Sequence, residues 1–442
     1  MQLSKLDFMK RLLLVFLSAF LLTNIFSQMY IPIDTANFKI RKEKSKKYLD
    51  ESKLFITQLK AEYKGSEKSY IKNEFEKSQK GFNEEILHGD YLFDTRFDNF
   101  VDSIVAKLRE GNPTIPTNLR FYISKNVSLN ASSMGDNTFV INLGTFYFLE
   151  NEDEFASVIS HEISHFILKH EILSLQRHFK TDKVDSKAQI GKIKSDKYSR
   201  GAKALERFKT IIYSEGTINR KKEQEADSLG YKLFRNSKFH KADYLNSFIL
   251  IAEYDSIKPK GLDTDIYHRV FTLPDQEFKE EWLKSEDFTV YDYTKYKPKL
   301  NSDSLKSHPE NEERIVRLKN LFPELSDSDQ ITKPGNTFIE LQRIAKNEMV
   351  PSLDFNEDYG SGVYLCLLNI QLDSTDNYHK QWLGKFFQKI CDARKSYTLN
   401  RYLDRVDAKE QSKSYQQFLN FMWNLNMTEL KKIADYYNKK GS

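Results

Sequence analysis

The sequence predicts an α+β fold that is dominated by helices and carries a small sheet beside one buried helix. Gly and Pro account for only 16 and 10 of the 442 residues, which is too few for the tight turns of a many-stranded β architecture. Apolar residues recur at helical spacing through most of the chain, whereas only two short runs have strand character. With 39% hydrophobic residues, the chain can bury a substantial core, which excludes disorder throughout. The net charge of +5 is nearly balanced for this length and indicates no nucleic-acid partner.

The first 27 residues have the pattern of a secretory signal peptide. Lys10 and Arg11 precede an uncharged apolar run, Leu12–Leu22, and the small residue Ser27 follows at the expected cleavage point. The run is shorter than the ~20 residues that span a bilayer. We therefore expect an exported protein, periplasmic or otherwise extracytoplasmic, that begins near Gln28 after cleavage and keeps no membrane span. An uncleaved amino-terminal anchor is the alternative.

Residues 28–84 are predicted to form an N-terminal helical segment, and residues 85–325 the main domain. In the segment, charged residues alternate with apolar ones at helical spacing, which is typical of one or two solvated helices. The main domain opens with a helix over Phe97–Leu108, which ends at Gly111 and the Asn-Pro pair that follows.

Two strands and a buried helix come next. The strands are predicted at Leu119–Ser124 and Thr138–Asn142, where β-branched and aromatic residues lie between polar turns. Asn151 is expected to cap the helix, with Glu154 three residues on in the pattern of a capping box. The helix is expected to continue to about Leu173, and the apolar residues on most of its sides predict burial.

The remaining chain is predicted to be mainly helical. A lysine-rich segment at 174–218 has helical character, and a polar loop region is expected at 257–306. Ser326–Asn336 is expected to be a linker that separates a C-terminal helical domain at 337–442. Helices are predicted at 224–235, 241–254, 339–346, 363–371, 382–395 and 415–425.

One string in the buried helix has the spacing of a metal site. His161, Glu162 and His165 lie in the sequence His-Glu-Ile-Ser-His. Residues four apart share a helix face, so both imidazoles can bind one metal ion, and Glu162 can take a proton from a water molecule there. A buried helix with two hydrogen-bonded histidines is the structural alternative.

A catalytic zinc ion needs a third protein ligand and one open coordination position. A third His ten residues after the first would be typical of a metzincin, but Glu171 occupies that position. Further along the chain, Glu223, Asp227 and Gly230 fall on one helical face. This face offers a carboxylate ligand, a second carboxylate that can hold an imidazole, and space for close helix packing. For Glu223 alone, a surface charge is the alternative interpretation.

Together these features resemble the zinc metallopeptidases of peptidase family M48, the HtpX and CAAX-endopeptidase relatives. The resemblance covers roughly residues 85–325, and the features occur in the order of that family. They are Asn130-Ala131 before a strand, Gly144, the acidic run from Asn151, the His-Glu helix, the Glu-x-x-Ala-Asp-x-x-Gly segment that starts at Glu223, and Ser307-His308-Pro309 ahead of Arg314-Ile315.

The resemblance implies a gluzincin-type domain that holds one zinc ion per chain and acts as a zinc metalloendopeptidase. By this likeness His161, His165 and Glu223 are the metal ligands, and Glu162 is the general base. His170, at the end of the predicted helix, is expected to be a structural hydrogen-bonding residue rather than a ligand.

The resemblance also assigns roles around the metal. Asp227 and Arg314 would support the ligands without binding the ion. His308 would act in catalysis, either by stabilising the oxyanion or by occupying the open zinc position in a resting state. A loop His that Pro309 fixes in a turn is the alternative. The strand Thr138–Asn142 would pair with an extended substrate.

Soluble exported members of the family act in protein quality control, and the hydrophilic segment 174–218 resembles that branch. The implied partners are unfolded or misassembled protein substrates, with the C-terminal helical domain available to bind substrate or a partner protein.

One rival interpretation is a chaperone-like or binding protein whose zinc site is structural or vestigial. The intact Glu162 argues against it, because a structural site needs no base. In a second rival interpretation, the region from residue 337 is an interaction module and the main functional part, and the protease domain is accessory to it.

Cys366 and Cys391 are compatible with two buried thiols or with one disulfide.

Overall fold

The computed structural model describes residues 30–184, 200–254, 261–285, 311–326, 330–407 and 411–440, with backbone only at 182–184, 200–216 and 440. The predicted signal peptide and His308 lie outside the described residues. No helix among the described residues is both long enough and apolar enough to cross a membrane.

The N-terminal segment forms two helices, α1 (Phe38–Glu62) and α2 (Gly65–His88), which pack against each other. Asn37 caps α1, since its side chain accepts hydrogen bonds from the backbone N–H groups of the next turn. Rings of Tyr48 and Phe82 pack on Tyr122 of the sheet, and so dock the helix pair on the main body.

The sheet has four short strands in the order β1-β2-β4-β3. The strands are β1 (Tyr91–Leu92), β2 (Arg120–Ser124), β3 (Ala131–Ser133) and β4 (Thr138–Asn142). β2 and β4 are parallel, in the register Arg120↔Thr138, and both outer pairs are antiparallel. The two strands predicted from the sequence are therefore confirmed at β2 and β4.

The prediction that a substrate pairs with Thr138–Asn142 is wrong, because β4 is hydrogen-bonded on both sides. The sheet has two edge strands, β1 and β3, and β3 is the one that covers β4. It lies in a segment where the sequence predicts a loop. β3 packs beside the helix that carries the His-Glu motif. Three residues with two serines give too weak a strand pattern for recognition from the sequence alone.

That helix, α5 (Glu152–Ile167), begins at its N-cap Asn151, whose side chain accepts from Asp153 N at 2.9 Å and Glu154 N at 2.9 Å. The helix ends six residues earlier than the sequence predicts. Lys169 adopts φ 55°, a left-handed conformation that terminates the helix. A new helix, α6 (His170–Val184), starts immediately after this break.

The other elements are helical. A short helix α4 (Leu143–Phe148) follows β4. The remaining helices are α3 (Thr95–Gly111), α7 (Arg200–Asn236), α8 (Lys241–Tyr254), α9 (Asp265–Phe271), α10 (Asn311–Leu321), α11 (Asn336–Phe355), α12 (Tyr359–Leu372), α13 (Asn377–Lys395), α14 (Lys413–Asn424) and α15 (Met427–Lys440). Helix α9 lies where the sequence predicted a loop, because seven residues carry too little periodicity to be recognised.

One hydrophobic core runs from α3 and α5 into the C-terminal helices. The ring of Phe338 on α11 lies 5.6 Å from Phe100 on α3, and Gln342 Nε2 donates to Leu149 O at 2.7 Å. Cys366 and Cys391 are buried free thiols in this core rather than a disulfide. Burial raises the pKa of the Cys391 thiol to about 11.

The segment before α11 is bonded to the start of α5. Asp243 on α8 is fully buried and accepts from Asn151 Nδ2 at 2.8 Å and from Thr332 Oγ1 at 2.7 Å. Asn151 Nδ2 also donates to Thr332 O at 3.1 Å, and Gly335 N donates to Glu152 Oε1 at 2.9 Å. The residues predicted as a linker are thus attached to the first turn of the motif helix.

Candidate metal centre

Two helices bring three metal-ligating side chains together. His161 and His165 project from one face of α5, and Glu223 projects from α7, which packs across it. The two histidine Nε2 atoms lie 3.0 Å apart. The carboxylate of Glu223 lies 3.4 Å from His161 Nε2 and 3.5 Å from His165 Nε2. Among the described residues, this is the group of His, Cys, Asp or Glu side chains that could hold a metal ion.

These spacings fit a tetrahedral zinc site. With zinc–ligand distances of 2.0–2.2 Å, the edges of a tetrahedron measure about 3.3–3.6 Å. The observed separations are 3.0 Å between the two Nε2 atoms, 3.4 Å from His161 Nε2 to Glu223 Oε2 and 3.5 Å from His165 Nε2 to Glu223 Oε1. They are close to these edges, with each imidazole nearest a different oxygen of the carboxylate. Two imidazoles and one carboxylate leave the fourth position open, which is typical of a catalytic rather than a structural site.

A buried ion pair supports the ligands from behind. Asp227 Oδ1 lies 3.0 Å from His161 Nδ1. Arg314 on α10 donates to both oxygens of Asp227, at 2.6 Å and 2.9 Å, and its guanidinium lies 3.5 Å from Glu223. Burial disfavours the charged form of Asp227, but Arg314 and His161 together outweigh burial and lower the pKa of this carboxyl. Asp227 therefore stays ionised and orients the imidazole of His161.

The two histidines differ in their pKa values because their neighbours differ. Burial opposes the charge on His161, but Asp227 and Glu223 prevail and raise its pKa to about 10. Burial and the adjacent His161 lower the pKa of His165 to about 3. Since a metal ion binds the deprotonated Nε2, the proton on His161 must leave when a metal ion enters.

Glu162 lies beside the cluster and faces the edge of the sheet. Burial raises the pKa of its carboxyl to about 7, with His161 opposing and Glu223 adding to the rise. The nearby backbone N–H of Ser133 on β3 favours the ionised carboxylate and so opposes this rise. A carboxyl that titrates near neutral pH can both accept and return a proton, as a general base and acid must.

The cluster opens into a cleft of about 1280 Å³. One wall is apolar, with Val158 from α5 and Phe248 and Ile251 from α8. The edge strand β3 also lines the cleft, and α6 and α7 contribute polar side chains to it. The concavity is large enough for several residues of an extended peptide.

Close packing between α5 and α7 depends on Gly230. A Cβ at this position would lie 2.8 Å from Tyr244 Oη and 3.1 Å from His161 Cα. We expect Gly230→Ala to lower the free energy of unfolding by about 1–3 kcal/mol and to weaken zinc binding by displacing His161. Gly81→Ala is the matched control, because a Cβ there meets nothing within 4 Å, so its helix should gain slightly in stability. Denaturant titration and a zinc-affinity measurement on both variants test this, and unchanged values for Gly230→Ala would contradict the packing argument.

Replacing Asp227 should affect both the metal and the fold. Asp227→Asn cannot neutralise Arg314, so we expect zinc affinity to fall ~10- to 100-fold and the free energy of unfolding to drop by up to about 3–5 kcal/mol. Asp265→Asn is the control, because Asp265 forms an exposed pair with Arg269 at 3.0 Å and such pairs contribute little. Chelator competition and thermal unfolding measure the two effects. Wild-type zinc affinity in Asp227→Asn would show that Asp227 does not orient His161.

The structure brings together most of the side chains that the sequence singled out. His161, His165 and Glu223 form the cluster, Glu162 lies beside it, and Asp227 and Arg314 lie behind it in contact with each other. The prediction that His170 forms hydrogen bonds is confirmed by its contacts with His165 and Glu225. Its partners, and the approach of Ser133 to Glu162, were not predicted, because both depend on how separate elements meet.

Comparison with known proteins adds a family match. The model of Peptidase family M48 matches residues 99–322, about half of the chain and including every residue of the cluster. The beta-barrel assembly-enhancing protease of Yersinia pestis is 22% identical over 192 residues, which are 43% of this chain and 39% of that protein. The proteins of the same name from Escherichia coli (strain K12) and Shigella flexneri are each 25% identical over 171 residues, 37% of this chain and 35% of theirs. The chain therefore matches well under half the length of these relatives.

Proposed function

Because this chain belongs to peptidase family M48, we propose that it is an exported, zinc-dependent metalloendopeptidase that cleaves protein substrates. Membership of this family supports metallopeptidase activity. The identity of the metal as zinc, the export of the protein and the class of substrate are what we propose in addition. The observation that carries it is the convergence of His161, His165 and Glu223 at tetrahedral spacing, with Glu162 beside them.

The residues of the cluster divide the chemistry between them. When bound, zinc supplies the Lewis acidity that polarises a scissile carbonyl and lowers the pKa of a water molecule. Glu162 accepts a proton from the attacking water and returns it to the leaving amine, for which its pKa of about 7 is suited. Asp227 and Arg314 keep His161 and Glu223 oriented throughout.

The substrate would bind as an extra strand on β3. Asn142 N donates to Asn130 O at 3.0 Å and Met134 N donates to Thr138 O at 2.9 Å, so even-numbered residues of this segment pair with β4. The peptide groups of Ala131 and Ser133 therefore face the open edge, in the alternation of an antiparallel ladder. An extended peptide that pairs with them would run past Glu162, and strand pairing recognises backbone rather than sequence. Recognition of the backbone suits unfolded or misassembled proteins, because their chains can present extended segments. Such proteins are the substrates that we propose, in a quality-control role.

Export is proposed from the first 27 residues. We expect the mature protein to begin near Gln28 in the periplasm or another extracytoplasmic compartment. Intact-mass measurement of the protein recovered from that compartment tests this. A mass that still includes residues 1–27 would show that the apolar run is retained as an anchor.

The direct test of the activity is cleavage of an unfolded protein with metal removal and return. The mature protein should cleave casein, lose this activity after dialysis against a chelator, and regain it with one equivalent of zinc. The rival function, a chaperone-like protein with a structural zinc site, predicts suppression of aggregation with casein left intact. Absence of cleavage by the zinc-loaded protein would favour that rival.

A further inference from the structure

His165 has a partner on the side of its ring that faces away from the metal cluster. His170 Nδ1 lies 3.0 Å from His165 Nδ1, and His170 Nε2 lies 3.3 Å from Glu225 Oε2. The rings of the two histidines meet edge to face, with centroids 4.8 Å apart. His170 is 4% exposed, whereas 45% of the Glu225 side chain is exposed, so the contacts run from the metal cluster to the protein surface.

This arrangement exists only because the helix breaks. On a continuous helix a residue five positions after His165 would be displaced by about 140° around the axis and would face elsewhere. The left-handed Lys169, φ 55°, ends α5 and turns the chain, so that the first residue of α6 returns to His165. A lysine in this conformation is disfavoured relative to glycine, and its side chain forms an exposed ion pair with Glu62 of α1.

The three groups have only one consistent assignment of protons when His165 binds a metal ion. His165 Nε2 must then offer its lone pair to the ion, so its Nδ1 carries the proton and donates to His170 Nδ1. His170 consequently carries its own proton on Nε2, which donates to the carboxylate of Glu225. The chain of hydrogen bonds thus ends on an anion.

We infer that His170 and Glu225 are positioning residues that fix the ring orientation and tautomer of His165 for metal binding. The role parallels that of Asp227 toward His161, except that an imidazole is interposed before the carboxylate. Outer hydrogen-bond partners of this kind typically change metal affinity by about 10- to 100-fold. The inference rests on the proposed zinc site and adds to it the residues that hold its second ligand.

The main test compares two replacements of His170 in the full-length mature protein. His170→Phe keeps a planar ring but offers no acceptor to His165, so zinc affinity by chelator competition should fall ~10- to 100-fold. His170→Asn supplies a side-chain oxygen as acceptor and should recover most of this loss. The absorption spectrum of the cobalt-substituted proteins gives a second readout, because it reports the ligand field directly. It should change in the Phe variant and return toward wild type in the Asn variant.

A second pair of variants avoids any defect in folding. Glu225 lies on the surface side of α7, where 45% of its side chain is exposed, and it also lies 3.8 Å from Lys221. Glu225→Ala should weaken zinc binding several-fold. Lys221→Ala removes only the exposed ion pair and should leave zinc binding unchanged.

Three results would overturn the inference. They are wild-type zinc affinity in His170→Phe, equal losses in His170→Phe and His170→Asn, and equal effects of Glu225→Ala and Lys221→Ala. If the wild-type protein itself binds no zinc, the proposed function fails instead. That outcome is distinguished by measuring the wild type first.

Discussion

Glu162→Gln should reduce casein cleavage by about 10²- to 10⁴-fold, the range expected for loss of a general base. The amide cannot accept a proton from water, but it has nearly the same shape and volume as the carboxylate. Glu162 is not one of the three residues whose side chains could hold the metal ion. The variant should therefore retain one zinc ion and the wild-type melting temperature. Turnover, zinc content and thermal unfolding measure these three expectations.

The control for this variant is Glu110→Gln, the same chemical change at an exposed position on α3. It should match the wild type in all three measurements. If Glu162→Gln cleaves casein within a few-fold of the wild-type rate, another group acts as the base.

Glu223→Ala should lose both zinc and activity, because two imidazoles alone form too weak a site for a catalytic zinc ion. The Glu223 carboxylate also lies 3.5 Å from Arg314, so its removal leaves Asp227 as the main counter-charge of that buried guanidinium. Zinc content after gel filtration, and affinity by chelator competition, measure the loss. Glu223→Gln, which keeps the volume but not the charge, should show the same deficit.

Glu110→Ala is again the control at an exposed site. Stoichiometric zinc in Glu223→Ala would mean that a different side chain supplies the third ligand. It would also remove the reason for placing the metal between α5 and α7.

The sequence predicted the structural features that are determined by residues close together in the chain. The 3.6-residue period located α8 at Lys241–Tyr254 to the residue. The same period placed His161 with His165 on one face, and Glu223 with Asp227 on another. The capping side chain of Asn151 fixed the start of α5 for an equally local reason.

Features that depend on contacts between distant segments were not predictable in this way. Nothing in the residues of β4 shows that β3 returns to cover it, so the wrong strand was assigned to the substrate. The end of α5 was missed because Lys169 is neither Gly nor Pro, yet it adopts the left-handed conformation that ends the helix. A supporting role for Arg314 was expected only through the family resemblance, and its contact with Asp227 was not predicted.

The attachment of Thr332 and Gly335 to the first turn of α5 has a consequence for how the protein unfolds. Asn151 uses its oxygen to cap the motif helix and its amide nitrogen to bind Asp243 and Thr332. Opening the segment before α11 would therefore remove the contacts of Thr332 with the cap residue Asn151 and leave the buried Asp243 with fewer hydrogen-bond donors. The catalytic half and the C-terminal helices should accordingly melt as a single cooperative unit. A ligand that binds only at the metal cluster would then protect amide hydrogens from exchange as far away as α13.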